Sequence, residues 1–496
     1  MTEFIAPKAG KLKQLSNDPV LRKVALVSLE LGVNVYLIGG TLRDLFVKTR
    51  RNKRIEFDFA VENNTFQLAE TVARELCAYS FVLNQVKAVI RIVCRDNDLS
   101  YECDFAGFRA CSLKEDIYLR DFTINTLCVN VRDLISKQNF ESSLLDYFGA
   151  VTDIKKRLVR VTCETNFFDD PLRMLRGFRF CADLDFVLES NTFLLIKENF
   201  WRLRLAASER VCAELVKILT NPDCFRCIVE MDNSGILSCI LPEIDLLRNV
   251  SQGKYHHLDI WQHSLDALLK LEYLITNLAQ NIPDQYAKRV NAYLNEEIVY
   301  GRPRIWILKL AVILHDIGKP AVKFEINGAV HFYTHEKVGA NIAQSIGKRL
   351  KLSIKEIIVL KSVVLYHLRA GQIVNRKPGK RAKFRFFRDT KENALLVLLL
   401  SLADRRAMLG PAAMDESYVF LEQEIFVMIV EFFNLQDKPE AMARLINGTD
   451  VMNFLNIQPG VIVGTILSQV AEAQALGQVS TKAEAKKLVL ALYTQK

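Results

Sequence analysis

The first 255 residues contain no histidine; all seven lie between His256 and His367. Metal chemistry in the first half must therefore use carboxylates, whereas the middle of the chain can use imidazole, which suggests two different sites. No apolar run reaches the ~18 residues of a membrane span, and residues 394–403 read as a buried helix. Lys8, Lys11 and Lys13 come without a hydrophobic block, unlike a secretory signal. Together these point to the cytoplasm and away from a membrane. Eleven cysteines scatter between Cys77 and Cys239, with a single C-x-x-C at Cys224 and Cys227. No second pair or nearby histidine completes a zinc site, so reduced, mostly buried thiols are expected.

What is present is long and basic. At 496 residues the chain needs several domains, and 66 Lys and Arg against 57 Asp and Glu leave a net charge of +9. That balance permits a polyanionic partner. Clusters at Arg50-Arg51-Asn52-Lys53-Arg54, at Lys155-Lys156-Arg157 and from Arg376 to Arg388 favour one, although a charge run is more commonly a solvated loop.

Val35–Ile38 reads as a short buried strand entering Gly39-Gly40, with a helix beginning near Thr41. Strands are predicted at 55–61, 89–93 and 101–108, and a helix at 65–79, which makes an α/β or α+β domain. From about Lys155 helical periodicity dominates, as in 172–184, in 208–219 with Ser208 as N-cap, and in 305–317. The last ~85 residues are helical without an interpretable motif.

Glu56 and Asp58 stand two apart on a predicted strand, so both carboxylates face one way while Phe57 turns into the core. Asp104, on a later strand, converges on them if the strands are neighbours. Nucleotidyl transfer needs such a group, because two Mg²⁺ ions activate the attacking hydroxyl and neutralise a triphosphate. Backbone N–H groups at Gly39-Gly40-Thr41 suit phosphates. Singly these signals are weak; their order is specific.

Gly39-Gly40-Thr41-Leu42-Arg43-Asp44, Glu56-x-Asp58, Arg120-Asp121-Phe122-Thr123-Ile124-Asn125 and Asp169-Asp170-Pro171-Leu172-Arg173 follow one another over residues 33–220. With Ser208-Glu209-Arg210, this series resembles the class II CCA-adding tRNA nucleotidyltransferase and bacterial poly(A) polymerase family. The resemblance implies an α+β, polymerase-beta-like head at 20–150 and a helical neck at 151–245 that binds nucleotide base and RNA. An HD-type body at 246–410 and a helical tail at 411–496 would follow. It implies Mg²⁺ on Glu56 and Asp58, with Asp104 as third carboxylate. Gly39, Gly40, Arg43, Asp44, Arg120, Asp121, Asn125, Asp170, Arg173 and Arg176 would bind nucleotide. The reaction implied is addition of CMP, and AMP in CCA-adding members, from CTP and ATP to a tRNA 3′ end.

Asp170 and Arg173, three apart on a predicted helix, share a face. A carboxylate accepting from the amino group of cytosine or adenine, beside a guanidinium donating to the ring, resembles the family's protein template for CTP and ATP. Three departures from the family stand out. Glu56 replaces the usual aspartate, and Leu119 replaces the first arginine of Arg-Arg-Asp. Only ten residues separate Arg109 from Arg120, where CCA-adding members carry a longer flexible loop. The short form resembles members that add only two cytidines.

His315-Asp316-Ile317-Gly318-Lys319, with His263 upstream and Asp404 downstream, resembles the HD metal-dependent phosphohydrolase domain. His263, His315, Asp316 and Asp404 would hold a divalent ion such as Mn²⁺ or Ni²⁺, with His335 and His367 as a second metal position. Members either hydrolyse phosphomonoesters or 2′,3′-cyclic phosphates at RNA ends or use the same helices to hold tRNA. Two other functions compete with CMP addition. One is poly(A) polymerase, disfavoured because 86–95 lacks paired basic residues followed by Phe. The other is a tRNA-binding protein with a degenerate head, suggested by Glu56 and Leu119.

Overall fold

The computed structural model describes residues 9–47, 54–96, 99–136, 143–251, 258–327, 329–374, 379–408, 416–437 and 444–494. The basic cluster at 50–53, Arg376, His256 and His257 lie outside them. The chain forms two compact units, Met1–Ile240 and Leu241–Lys496.

The first unit is built on a six-stranded sheet of order β3-β4-β5-β2-β1-β6. Its strands are β1 (Val35–Ile38), β2 (Arg54–Val61), β3 (Tyr79–Asn84), β4 (Val89–Asp96), β5 (Leu99–Gly107) and β6 (Cys128–Asn130). Only β2 and β5 run parallel, in a register that sets Glu56 beside Glu102 and Asp58 beside Asp104. Phe57, Phe59, Cys103, Phe105, Ile90 and Ile92 alternate with these polar positions and are buried. The sheet thus has one core face and one polar face, as period-two patterning requires.

The structure corrects the expected helix at 65–79. It ends at Glu75, and Tyr79 opens β3, an edge strand that the sequence reading missed. Every residue of β3 is exposed, so it carries no apolar alternation to find. Helices follow the sheet: Leu172–Leu184 buries Leu172, Met174, Leu175 and Phe178 and packs against Ser208–Thr220. Ala207, not Ser208, occupies the N-cap of the latter.

The second unit is helical. Helix Ile260–Thr276 packs against Arg304–Leu314 and Ala394–Ala407, and Ile354–Tyr366 packs against His335–Arg349. Helix Arg304–Leu314 is buried from Ile305 onward, and its one interior charge, Lys309, pairs with Glu272. The segment Ile354–Val374, two helices joined by a turn at His367-Leu368, is by length and composition long and apolar enough to cross a membrane, contrary to the expectation that no run suffices. It carries the buried groups Glu356 and His367 and packs among the helices of this bundle. The last three helices, from Gly448 to Thr494, close on an apolar cluster of their own around Val451, Ile466, Val470 and Val489.

Candidate active sites

In the first unit a cleft of about 560 Å³ opens over the polar end of β2. That volume suits a nucleotide-sized ligand. Gly39, Gly40, Arg43, Glu56, Asp58, Arg120, Asp121, Asn125, Arg173 and Arg176 line it.

Strand β1 runs into Gly39, whose φ of 82° and ψ of −137° are open to glycine. A Cβ there would also sit 3.3 Å from Asp58 Oδ2, so the residue is small for two reasons. The expected helix is a single turn, Gly40–Arg43. Thr41 Oγ1 donates to the Glu56 carbonyl at 2.7 Å, tying this turn to β2. Arg43 lies almost buried and donates to Asn125 Oδ1 at 2.9 Å and to Asp44 Oδ1 at 2.8 Å.

Glu56 and Asp58 present their carboxylates on the polar face, as their spacing requires. Enclosure in the cleft raises the Asp58 carboxyl above its ordinary value; Arg120 opposes this, and Asp104 and Glu56 add to it. Crowded carboxylates of this kind fit a divalent cation, which would remove their repulsion. Asp104 sits on the next strand in register with Asp58, but its two oxygens are taken by Arg91, at 2.7 Å each. It does not line the cleft.

Asp121 is the hub of the wall opposite. Its Oδ1 accepts from Asn125 Nδ2 at 3.0 Å and from the Phe122 backbone at 2.9 Å, and Oδ2 meets Arg176 Nη2 at 2.7 Å. Burial alone would raise this carboxyl; Arg176 and the two hydrogen bonds carry it below its ordinary value. The group therefore positions Asn125 and Arg176 as a permanent anion. Thr123 donates to Asp153 at 2.6 Å, a structural role. Arg120 is held through its carbonyl by Thr162 and Asn166. Burial lowers its guanidinium's affinity for a proton, with Asp116 opposing.

Asp170 departs from expectation. Pro171 occupies the N-cap of helix Leu172–Leu184 and Asp170 precedes it in extended conformation (φ −147°, ψ 97°). Proline disfavours the helical region for the residue before it, so Asp170 and Arg173 do not share a helical face. The Asp170 carboxylate accepts from the Leu172 backbone at 3.2 Å and pairs with Arg210 at 2.7 Å. Arg173 faces the cleft and donates to Asn166 at 2.5 Å.

The cleft also uses residues the sequence reading passed over. Arg179 continues the three-residue series of Arg173 and Arg176, stacks 4.3 Å over Phe180 and reaches Glu214 at 2.7 Å. Lys87, Arg109 and Lys217 add further positive charge to the lining. Arginines every third residue on an otherwise apolar helix were a legible signal of one lined face. The short segment after Arg109 is folded: helix Leu113–Tyr118 is capped by Ser112, and Asp116 accepts from the Arg109 backbone and side chain at 3.0 Å.

The second unit gathers imidazoles and carboxylates in its core. His263 Nε2 lies 2.9 Å from Asp404 Oδ1 and 3.8 Å from Asp316 Oδ2, and His315 Nε2 is 3.2 Å from Asp316 Oδ2. His335 and His367 approach Asp316 Oδ1 at 3.4 and 3.8 Å. Among the described residues, two ion-sized groups result: His263, His315 and Asp316, and Asp316, His335 and His367. The head carboxylates form no such three-membered group among the described residues.

Helix ends aim these rings. His315, His335 and His367 each use Nδ1 on the carbonyl three residues earlier, Val312, Phe332 and Val364, at 2.7–2.8 Å. Each Nδ1 thus donates to a carbonyl and each Nε2 faces inward; a bound metal would take Nε2 in place of its proton. His315 Nε2 is buried and makes no hydrogen bond. Gly318 lets the turn close, since a Cβ would fall 2.3 Å from the His335 carbonyl. Burial lowers the pKa of His315, yet Asp316 and Asp404 outweigh it and lift it to about 10; His367, by contrast, is pushed to about 4 by burial and by its imidazole neighbours. Two sealed carboxylates demand positive charge, and this donor set fits a divalent metal.

Comparison with known proteins agrees with this arrangement. Residues 35–160 match the poly A polymerase head domain, 185–247 the probable RNA and SrmB-binding site of polymerase A, and 260–409 the HD domain. The chain is thus similar, part by part, to the tRNA nucleotidyltransferases and poly(A) polymerases. An A-adding tRNA nucleotidyltransferase of Deinococcus radiodurans is 29% identical over 463 residues, 91% of this chain and 94% of that protein. A CC-adding tRNA nucleotidyltransferase of Thermus thermophilus is 28% identical, covering 92% and 93%. The fold is that of a Thermotoga maritima CCA-adding enzyme complexed with tRNA (TM-score 0.61, 19% identity, 99% of each chain). A CCA-adding enzyme with ATP shares it as well (TM-score 0.64, 19% identity, 99% of each chain). The chain has an α+β polymerase-type head, a helical region and an HD domain.

Proposed function

We propose that this protein is a tRNA nucleotidyltransferase of the cytoplasm that adds CMP to the 3′ end of tRNA from CTP, stopping after two cytidines. The observation that carries the reading is the cleft, where a glycine turn, Glu56 and Asp58, and a wall of arginines meet around a nucleotide-sized space. Gly39 and Gly40 offer backbone donors to phosphates, and Arg43, Arg120 and Arg176 supply charge for the triphosphate. Glu56 and Asp58 would hold Mg²⁺, which supplies charge neutralisation and activation of the attacking hydroxyl. The acceptor 3′ hydroxyl would lose its proton and its oxygen bond to the α-phosphorus as the bond to pyrophosphate breaks.

Arg173 offers paired donors to the base, and Asp170 completes a cytosine-like edge once it exchanges Arg210 for the base's amino group. Arrest at CC is supported by the folded Arg109–Arg120 connection, pinned by Asp116, where a long flexible loop would otherwise move. A second reading, addition of the terminal A, is favoured by the 29% identity to an A-adding relative. Extension of separate transcripts ending at the discriminator, in C and in CC, each with one nucleoside triphosphate, decides between them.

The HD cluster we assign to a divalent metal on His263, His315, Asp316 and Asp404, with His335 and His367 flanking a second position. Its reaction is hydrolysis of a phosphate ester at an RNA end. Phosphatase activity with Mn²⁺ or Ni²⁺, abolished in Asp316→Ala, tests it.

A further inference from the structure

The carboxylate face of the head sheet continues past the cleft. Register aligns Phe81, Arg91, Asp104 and Asp58 in one row across β3, β4, β5 and β2, and Tyr79, Val93, Glu102 and Glu56 in the next. Such rows share a face. The cleft takes the other side of the Asp58 row, through Val89, Ala106 and Gly107. The β3–β4 border of the face is left open.

That border is chemically unlike the rest of the sheet. Tyr79 is 77% exposed and Phe81 53%, on an edge strand where exposed aromatics are a liability unless something uses them. Beside them Arg91 grips Asp104 and lies 3.3 Å from Glu102. Arg95, four residues on and on the same face, is exposed. Aromatic rings beside guanidiniums are what an unpaired nucleic-acid strand needs: bases stack and phosphates pair.

The growing RNA end must bring its hydroxyl to Glu56 and Asp58 while the incoming nucleotide fills the cleft. Its preceding nucleotides must then leave over a surface continuous with those carboxylates and outside the cleft. Three strand spacings put β3 about 14 Å from β2, within reach of a few nucleotides. We propose that Tyr79 and Phe81 stack the last unpaired bases of the RNA acceptor and that Arg91 and Arg95 take its phosphates, an assignment that rests on the nucleotidyl-transfer reading of the cleft. Arg91 then has two partners in turn. In the free protein it neutralises Asp104 and Glu102; with acceptor bound it turns to phosphate and releases Asp104 beside Asp58.

The test uses the full chain and an RNA hairpin whose unpaired 3′ end carries 2-aminopurine at the penultimate position. Wild type quenches the probe. Tyr79→Ala/Phe81→Ala loses the quench and raises the acceptor KM about tenfold, with CTP affinity unchanged; Tyr79→Phe/Phe81→Trp keeps it. Equal quench and equal acceptor KM in the alanine variant overturn the proposal. So does a concentration-dependent dimer that the variant abolishes while acceptor binding stays the same. A wild type that quenches through these residues yet incorporates no nucleotide upholds the platform and removes the transfer reading alone.

Discussion

Both units gather carboxylates that repel one another, and they relieve the repulsion in different ways. In the head, Glu56 and Asp58 stand on a strand face at an open cleft, and the compensating charge is guanidinium: Arg120 near Asp58, Arg91 on Asp104, Arg176 on Asp121. In the HD bundle Asp316 is sealed among imidazoles whose Nε2 atoms converge within 3.8 Å. Arginine cannot give up its charge and has a long reach, which suits a large anionic ligand that arrives and leaves. Histidine can be neutral, so a buried ring of lone pairs suits a resident ion. Histidine stands where an ion would be enclosed and is missing from the head, where ions would come with the nucleotide.

The sharpest way to break this contrast is to disable one site and read both activities. Asp58→Ala should lower single-turnover CMP incorporation about a thousandfold or more, since it removes several kcal/mol of charge stabilisation, while any Mn²⁺-dependent phosphatase activity persists. Asp316→Ala should do the reverse: phosphatase activity disappears and bound Mn²⁺ in the purified protein falls to background, with incorporation retained. Loss of both activities in either variant would mean that the two regions do not act separately.

Smaller effects sharpen the head itself. Arg173→Ala should lower discrimination between CTP and UTP by about 1–3 kcal/mol in kcat/KM, the worth of a paired base contact. Asp121→Asn should cost about 2 kcal/mol of stability at pH 7, less than a sealed pair, because Arg176 keeps 36% of its side chain exposed. Its carboxyl is held below its ordinary value. The stabilisation is therefore present above the unfolded value of about 3.9 and is lost as pH falls through the lower folded value. Urea denaturation of wild type and variant at pH 7 and pH 3 should show the difference shrinking at the lower pH. Glu56→Asp should change incorporation less than about tenfold, or 1.4 kcal/mol, because it only shortens a ligand by one methylene.

How much of this was legible depended on whether a feature is local. The glycine turn, the Glu56–Asp58 pair and the His315-Asp316 helix end are written in adjacent residues, and they fall within the head (35–160) and HD (260–409) matches. The displacement of Asp170 was legible in principle, because Pro171 disfavours helix before it; reading Asp170 and Arg173 as one face ignored that rule. The Arg91–Asp104 pair was not legible, since it depends on cross-strand register between β4 and β5. Strand β3 escaped because an edge strand exposed on both faces carries no alternation. Lys87 and Lys217 join the cleft through tertiary packing alone, whereas Arg179 was legible in its three-residue spacing from Arg176.

One measurement bears directly on the central claim that this cleft adds cytidines and stops. Purified protein is incubated with three tRNA transcripts, one ending at the discriminator base, one in C and one in CC, each with a single nucleoside triphosphate, and the products are sequenced. The account predicts CMP addition to the first two and none to the third with any triphosphate; extension of the CC transcript by ATP, or no incorporation anywhere, would contradict it.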